Sequence, residues 1–450
     1  MSKARIAIVG AGPAGIYAAD LLIKSELRDF DVEIDLFDLL PAPYGLVRYG
    51  VAPDHPRIKG IIRALYEVLD RGDIRFFGNV EYGKDITLDD LKQHYNAVVF
   101  ATGAIRDAEL NIPGIDLEGS FGAADFVNWY DAHPDFPREW PLEAREIAVI
   151  GNGNVALDVA RVLVKLPQDM LSTDIPANVY EGLKASPVTD VHVFGRRGPA
   201  QVKFTPLELR EATHIEGVDC IVYDEDFMYD EGSQEAIDTN NQTRVMVNTL
   251  EALREEPQNT GASRRLHLHF FSSPVELIGE NGKVSGLRIE RTKLDGKGGV
   301  VPTGEFREFP IQAFYRAVGY FGSELTEIPF DSKHGVIPND GGRVLNGTEQ
   351  IPGVYATGWI KRGPVGLIGH TKSDALETIG NIIADKASWW QPSVTDADGV
   401  VQLLKERGVD VVGWPEWLLI DAKERALGEA EGRERIKLVE RDDFLRAARG

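Results

Sequence analysis

A glycine-rich turn of the form GxGxxG or GxGxxA occurs twice in this chain, each time after a short β-rich apolar run and before a helical pattern. That context leaves few folds open, because it reads as strand, tight turn, helix and second strand, the βαβ unit of a parallel sheet covered by helices. In the first unit Arg5–Val9 runs into Gly10-Ala11-Gly12-Pro13-Ala14-Gly15; Ile16, Ala19, Leu22 and Ile23 come next at helical spacing, and Val32–Phe37 alternates as a strand ending at Asp38. In the second, Glu146–Ile150 leads into Gly151-Asn152-Gly153-Asn154-Val155-Ala156. A helical face of Val155, Val159, Val162 and Leu163 comes next, then the strand Asp190–Phe194.

Each turn has a chemical reading. Gly10 permits the sharp turn, Gly12 lets the backbone approach a pyrophosphate, Gly15 lets helix pack closely on strand, and the helix N-terminus favours an anion. The residues just beyond the second strand differ in the sign of their charge between the two units. Asp38 is placed to accept hydrogen bonds from ribose hydroxyls. In the second unit Gly195-Arg196-Arg197-Gly198 stands there instead, and adjacent guanidiniums suit a 2′-phosphate through bidentate, charge-assisted bonds. The first site therefore prefers a dinucleotide with free ribose hydroxyls and the second prefers NADP. Two such sites without a thiol pair fit a flavoprotein that takes hydride from NADPH onto FAD.

A second echo orders the domains. The strand-like Ala97–Phe100 runs into Ala101-Thr102-Gly103, and Val354-Tyr355-Ala356-Thr357-Gly358 repeats that arrangement near the end. The expected fold class is α/β, with two Rossmann-like, glutathione-reductase-type dinucleotide-binding domains, the second inserted into the first. Residues 1–104 and 320–450 form the FAD domain, with a helical extension over 395–450, and residues 105–319 form the NADP domain.

Composition excludes other classes. The single cysteine, Cys220, cannot make an intrachain disulfide, a CxxC redox pair or a four-cysteine iron–sulfur cluster. With 71 acidic and 49 basic residues the net charge is −22, which argues against bulk attraction to nucleic acid or an anionic membrane. No apolar run approaches the ~18 residues that a bilayer span needs. The apolar stretch after Lys3 and Arg5 superficially resembles a signal peptide, but its glycines would break the apolar core, so the chain reads as cytoplasmic.

The segment Pro41–Pro56 (PAPYGLVRYGVAPDHP), together with Gly195–Pro199, Glu208-Leu209-Arg210-Glu211 and Ala356–His370 (ATGWIKRGPVGLIGH), resembles the signature of the adrenodoxin reductase family of ferredoxin–NADP reductases. The likeness runs from residue 5 to about residue 445, and these long segments are far more specific than either glycine turn. It implies FAD contacts from Gly10, Gly12, Ala14, Gly15, Asp38, Leu46, Val80, Trp359 and the Gly366, Leu367 and Ile368 backbone. It implies NADP contacts from Asn152, Gly153, Asn154, Val155, Arg196, Arg197 and Glu208, with Gly366 also near the nicotinamide. His55 and Glu211 are implied near the nicotinamide in a tuning role; no metal ligand set is expected, and His133, His192, His214 and His370 read as structural or surface.

Two departures from the family stand out: Asp38 replaces the usual Glu, and Ala108 replaces an Arg that some members use for NADP, with Arg106 as substitute. The implied activity is NADPH oxidation through FAD with single-electron transfer to a ferredoxin-type iron–sulfur protein, a cytochrome P450 being a further acceptor downstream. An NADPH-dependent diaphorase or quinone reductase, or an accessory flavoprotein subunit of a larger redox complex, remains an alternative. Ferredoxins are acidic, so a chain of this charge must gather basic residues locally. Lys203 and Arg210 are the first candidates, with Arg244, Arg264, Arg265, Lys361 and Arg362 behind them.

Overall fold

The strand Lys3–Val9 is buried at every residue after Lys3, as expected of a parallel strand whose two faces are both covered. In the computed structural model, which describes residues 3–365 and 368–450, it lies inside a seven-stranded sheet. The order is Asn339–Asp340, Arg343–Asn346, Glu349–Ala356, Ala97–Phe100, Lys3–Val9, Asp31–Phe37 and Ile74–Phe77. The last five are mutually parallel and in register at their ends: Val9 pairs with Phe37 and Phe100, Phe37 with Phe77, and Phe100 with Ala356. All five therefore finish at one edge, where the chain continues into Gly10, Asp38, Gly78, Ala101 and Thr357. Apolar side chains from alternate residues build a core on each face, one around Ile6, Ile8 and Leu36, the other around Ala7, Val9 and Phe37.

This sheet belongs to one of two units: Met1–Arg106, Asp131–Asp135 and Tyr320–Gly450 form the first, and Asp107–Tyr130 with Phe136–Gly319 the second. An uninterrupted insertion beginning at residue 105 does not foresee Asp131–Asp135 in the first unit. The cause is a buried charge cluster. Lys437 donates to the Asp131 carboxylate at 3.0 Å and to the Arg48 carbonyl at 2.7 Å, and Arg48 forms a bidentate pair with Glu424 at 3.0 and 2.5 Å. Buried ions need such pairing. The cluster also ties the helix Trp414–Glu429 to the segment Leu46–Tyr49.

The second unit contains a six-stranded, all-parallel sheet in the order Ser120–Gly122, Ala313–Arg316, Glu146–Ile150, Asp190–Phe194, Arg264–His269 and Val218–Ile221. An antiparallel sheet of Ser272–Glu280, Lys283–Leu294 and Val300–Phe309 packs on it through Leu277, Leu287 and Ile289 against Ala148, Ile150 and Phe194. Among the described residues no helix is long and apolar enough to cross a membrane.

Where the two sheets meet, the apolar pattern gives way to a histidine ladder. His192 and His267 are cross-strand partners with ring centroids 4.2 Å apart, and His269 lies next along the strand. His267 Nε2 donates to Asp190 at 2.9 Å and its Nδ1 accepts from Tyr223 at 2.9 Å; His192 bonds Glu146 at 3.2 Å and His269 at 3.0 Å. Burial, followed by repulsion from His192, pushes the His267 pKa down to about 4, and the same causes lower His269. Bonds from Arg265 and His267 hold Asp190 below the usual carboxylate range although burial alone would raise it.

A histidine held neutral by the fold stabilises it fully above its unfolded pKa of about 6.5, and that contribution is lost as pH falls toward 4. For His267 alone the loss between pH 7.5 and pH 5 is about 2 kcal/mol. Urea unfolding should therefore show a marked fall in stability over that interval. His267→Gln should flatten it, and parallel pH profiles for the two proteins would contradict the assignment.

Candidate functional site

At the edge where the first sheet's strands end, the glycine turn leaves no room for side chains. Gly10 sits at φ +114°, and at Gly15 an added Cβ would stand 1.9 Å from the Gly10 carbonyl oxygen. Beyond the turn, Gly12 faces the Cα of Gly45 at 3.7 Å from its absent Cβ, and apart from its chain neighbours no other atom of the described residues lies within 4 Å. The helix Pro13–Lys24 opens there with no side-chain cap and no acid in its first turn, so its positive end is available to an anion. A backbone-walled gap at an uncapped helix start fits a pyrophosphate.

Asp38 stands beside it. Its Oδ2 accepts from the Ala11 N–H at 2.7 Å and its Oδ1 from the Leu40 N–H at 2.8 Å, so the shorter acid braces the glycine turn itself. Each oxygen keeps a lone pair for a ribose hydroxyl. Burial pushes its pKa up to about 6, against the two N–H bonds that lower it.

The other expected FAD residues come to the same edge. Buried Val80 donates its N–H to the Asp38 carbonyl at 2.9 Å, and half-buried Leu46 opens the helix Leu46–Tyr49 behind Gly45. Gly358, at φ +75°, comes so close to Ala14 that a Cβ would lie 2.6 Å from the Ala14 Cβ. Trp359 is the next residue and the first of a short helix. The buried Thr102 Oγ1 has no hydrogen-bond partner among the described residues. Gly366 and Leu367 lie outside the described residues, as does the side chain of Ile368, the first residue of the helix Ile368–Ala384. No sequence pattern points to Asp374: it accepts from the Gly358 N–H at 2.6 Å and from Thr357 at 3.1 Å and pairs with Lys361 and Arg362. Gly358 and Thr357, which it holds at the strand end, are 16 and 17 positions away in sequence, too far for any local pattern to reveal.

The second unit repeats the turn with different neighbours. Gly151 sits at φ +148°, and apart from its chain neighbours no atom of the described residues lies within 4 Å of a Cβ placed on Gly153. The Lys203 N–H donates to the Asn152 carbonyl at 2.8 Å and the Thr205 N–H to Asn154 Oδ1 at 2.9 Å, bracing the turn from outside, while Val155 is the second residue of the helix Asn154–Val164. Arg196 is exposed, whereas the Arg197 Nε is buried with no partner among the described residues. A buried, unpartnered cationic donor beside an exposed guanidinium fits a phosphate. Glu208 is buried and pairs at 3.4 Å with Arg161, which also binds Asp158 at 2.8 Å; Arg161 was not anticipated from the sequence. Arg106 is exposed and Ala108 half-buried.

His55 is buried and precedes the short helix Pro56–Lys59 of the first unit. Glu211 is half-buried on the helix Pro206–Thr213 of the second. Cys220 is buried and its thiol is pushed up to about 12 by burial, so it is not a nucleophile at neutral pH.

The basic candidates separate sharply. Lys203, Arg210 and Arg244 are exposed. Arg264, by contrast, is buried and donates to the Val164 and Lys165 carbonyls, and Arg265 is bound to Asp190 at 2.5 and 2.6 Å. Lys361 is buried between Asp374 and Glu377, and Arg362 pairs with Asp374. Arg264 and Lys361 are therefore buried structural cations, and the expectation that these two serve a docking patch is corrected, whereas Arg265 and Arg362 are paired but stay partly exposed.

The profile of the family described as pyridine nucleotide-disulphide oxidoreductase matches residues 4–180. Over 99% of both chains the protein is 41% identical to NADPH-ferredoxin reductase FprA of Mycobacterium tuberculosis. It is 38% identical to the mitochondrial NADPH:adrenodoxin oxidoreductase of Arabidopsis thaliana, over 98% of this chain and 95% of that one. The structure of Mycobacterium tuberculosis FprA in complex with NADPH superposes with a TM-score of 0.90 at 39% identity, covering 100% of each chain.

If Asp38 serves a flavin ribose, its ionised form is the better acceptor, so flavin affinity should decline as pH falls through about 6. Asp38→Ala should weaken flavin retention by roughly 10- to 100-fold, and Asp38→Asn should abolish the pH dependence. Flavin content after dialysis at pH 5 and pH 8 measures both, and equal retention across the three proteins would refute the assignment.

Proposed function

This chain belongs to the adrenodoxin reductase family of FAD-dependent oxidoreductases, and from that premise we propose that it oxidises NADPH and passes the electrons singly to a ferredoxin-type iron–sulfur protein. The observation that carries the reading is the opposite chemistry beyond the second strand of each unit, a carboxylate at Asp38 and a guanidinium pair at Arg196 and Arg197. A carboxylate repels a 2′-phosphate and accepts from a ribose diol; the guanidinium pair does the reverse. FAD accepts a two-electron hydride and can release electrons one at a time, which is the conversion that an iron–sulfur acceptor requires. The names of the relatives support the same direction.

The protein's residues bind and orient. The uncapped helix start at Gly12 and the Gly45 backbone would seat the FAD pyrophosphate, with Asp38 on its ribose; Ala14, Leu46, Val80 and Trp359 would wall the flavin. Asn152–Val155 would seat the NADP pyrophosphate and Arg196 and Arg197 its 2′-phosphate, with Glu208 oriented by Arg161. Hydride transfer between two rings depends on orientation rather than on an acid or base, so His55 and Glu211 are assigned a tuning role. A cytochrome P450 fits as a further acceptor, because an iron–sulfur carrier hands on one electron at a time. We place the reaction in the cytoplasm, where a lone thiol stays reduced.

Replacing both arginines, Arg196→Ala with Arg197→Ala, should lower the ratio of NADPH to NADH catalytic efficiency by roughly a hundredfold, as loss of about 3 kcal/mol of charge-assisted bonding requires. An unchanged ratio would refute the site. For the acceptor, ferredoxin reduction should slow with ionic strength as the Debye length shrinks from about 10 Å at 0.1 M to about 3 Å at 1 M. Arg210→Glu should raise the KM for ferredoxin while sparing reduction of a small neutral dye. Dye and ferredoxin activities falling together would assign Arg210 to the nucleotide site or the fold, and faster turnover with quinones than with any ferredoxin would favour a diaphorase.

A further inference from the structure

The loop Gly195–Gly198 that carries both arginines is held from behind by the point where the chain leaves the six-stranded sheet for the antiparallel one. Thr292, buried on the strand Lys283–Leu294, donates its hydroxyl to the Arg196 carbonyl at 2.6 Å. The Thr292 N–H donates to the Phe271 carbonyl at 2.9 Å, the Phe271 N–H to the Arg197 carbonyl at 3.2 Å, and the Ser272 N–H to the Gly195 carbonyl at 2.9 Å. Phe271 adopts φ +50°, a left-handed conformation that a bulky residue keeps only when its surroundings enforce it. Here Arg291 enforces it, donating to the Phe270 carbonyl at 2.7 Å and pairing with Asp226, which accepts from the Phe270 N–H at 2.8 Å. The Phe271 ring fills the space beside Gly198, where a Cβ would lie 2.3 Å from its Cζ.

We propose that Thr292 is a positioning residue for pyridine nucleotide selection: its hydroxyl fixes the Arg196 backbone so that the two guanidiniums meet the 2′-phosphate. The inference rests on the assignment of Arg196 and Arg197 to that phosphate. Two features support it. The pairing of Lys283–Leu294 with its neighbour slips between Glu290 and Thr292, and such irregularities re-aim side chains near functional sites. The hydroxyl also donates directly to the Arg196 carbonyl, so removing it strikes the loop at a residue carrying the charge. Charge-assisted bonds to phosphate are directional, and a loop free to shift weakens them without touching contacts shared by NADPH and NADH.

The test is Thr292→Val, which keeps the shape and deletes the hydroxyl, with Thr292→Ser as rescue. Binding of 2′,5′-ADP and of 5′-AMP to the FAD-loaded protein is measured by calorimetry, alongside KM for NADPH and NADH. Thr292→Val should weaken 2′,5′-ADP binding and raise the NADPH KM five- to twentyfold, leave 5′-AMP and NADH within twofold, and leave bound flavin unchanged; Thr292→Ser should restore the parent values. Should Thr292→Val fail to fold, Gly198→Ala displaces the same loop from the Phe271 side and should give the same selective loss. Equal weakening of both nucleotides, or no weakening, overturns the proposal. The double arginine variant separates the two failures: if it loses 2′,5′-ADP while Thr292→Val does not, only the positioning role falls. If the arginine variant binds normally, the phosphate assignment falls with it.

Discussion

The contact between helix and strand at the first glycine turn governs what the rest of the first unit can do. Because Gly15 has no Cβ, the helix Pro13–Lys24 starts against the Gly10 carbonyl, and its N-terminus opens at the edge where five parallel strands end together. Parallel sheets place their loops, and with them their ligand sites, at such an edge. Every other feature of the site is an answer to that geometry: Asp38 and Thr102 arrive from neighbouring strand ends, and Gly358 and Trp359 arrive from the last strand, held by Asp374.

The second unit uses the same geometry with the opposite charge. Its turn at Gly151 is built alike, but the loop after its second strand carries arginines and is clamped by a sheet that the first unit lacks. One architecture thus offers two sites distinguished by a few side chains, and the fold alone does not say which nucleotide goes where. Buried pairs hold the added parts in place, Arg48 with Glu424 for the C-terminal helices and Arg291 with Asp226 for the crossing between the two sheets.

The range of each interaction decides how much of this was legible in the sequence. The glycine turns, the strands before them and the sign change from Asp38 to Arg196 and Arg197 are local patterns, and local patterns can be read. The repeated Ala-Thr-Gly ends announced that the last third returns to the first sheet, where Val354 pairs with Val98. The illegible features depend on partners far apart in the chain. Asp131 joins the first unit because Lys437, 306 positions away, binds it there, and Arg264 and Lys361 look like surface charges until their buried partners are known. The histidine ladder was missed because His192 sits on one strand and His267 and His269 on another, so their stacking exists only once the register is fixed.

The central claim is that one chain holds two dinucleotides in chemically distinct sites. Titrating the FAD-loaded protein with 2′,5′-ADP, while monitoring both heat and free flavin, tests it most directly. The account predicts one equivalent bound per chain, with the flavin retained and 5′-AMP binding far more weakly. Release of flavin in proportion to nucleotide bound, or equal affinity for 5′-AMP, would contradict it.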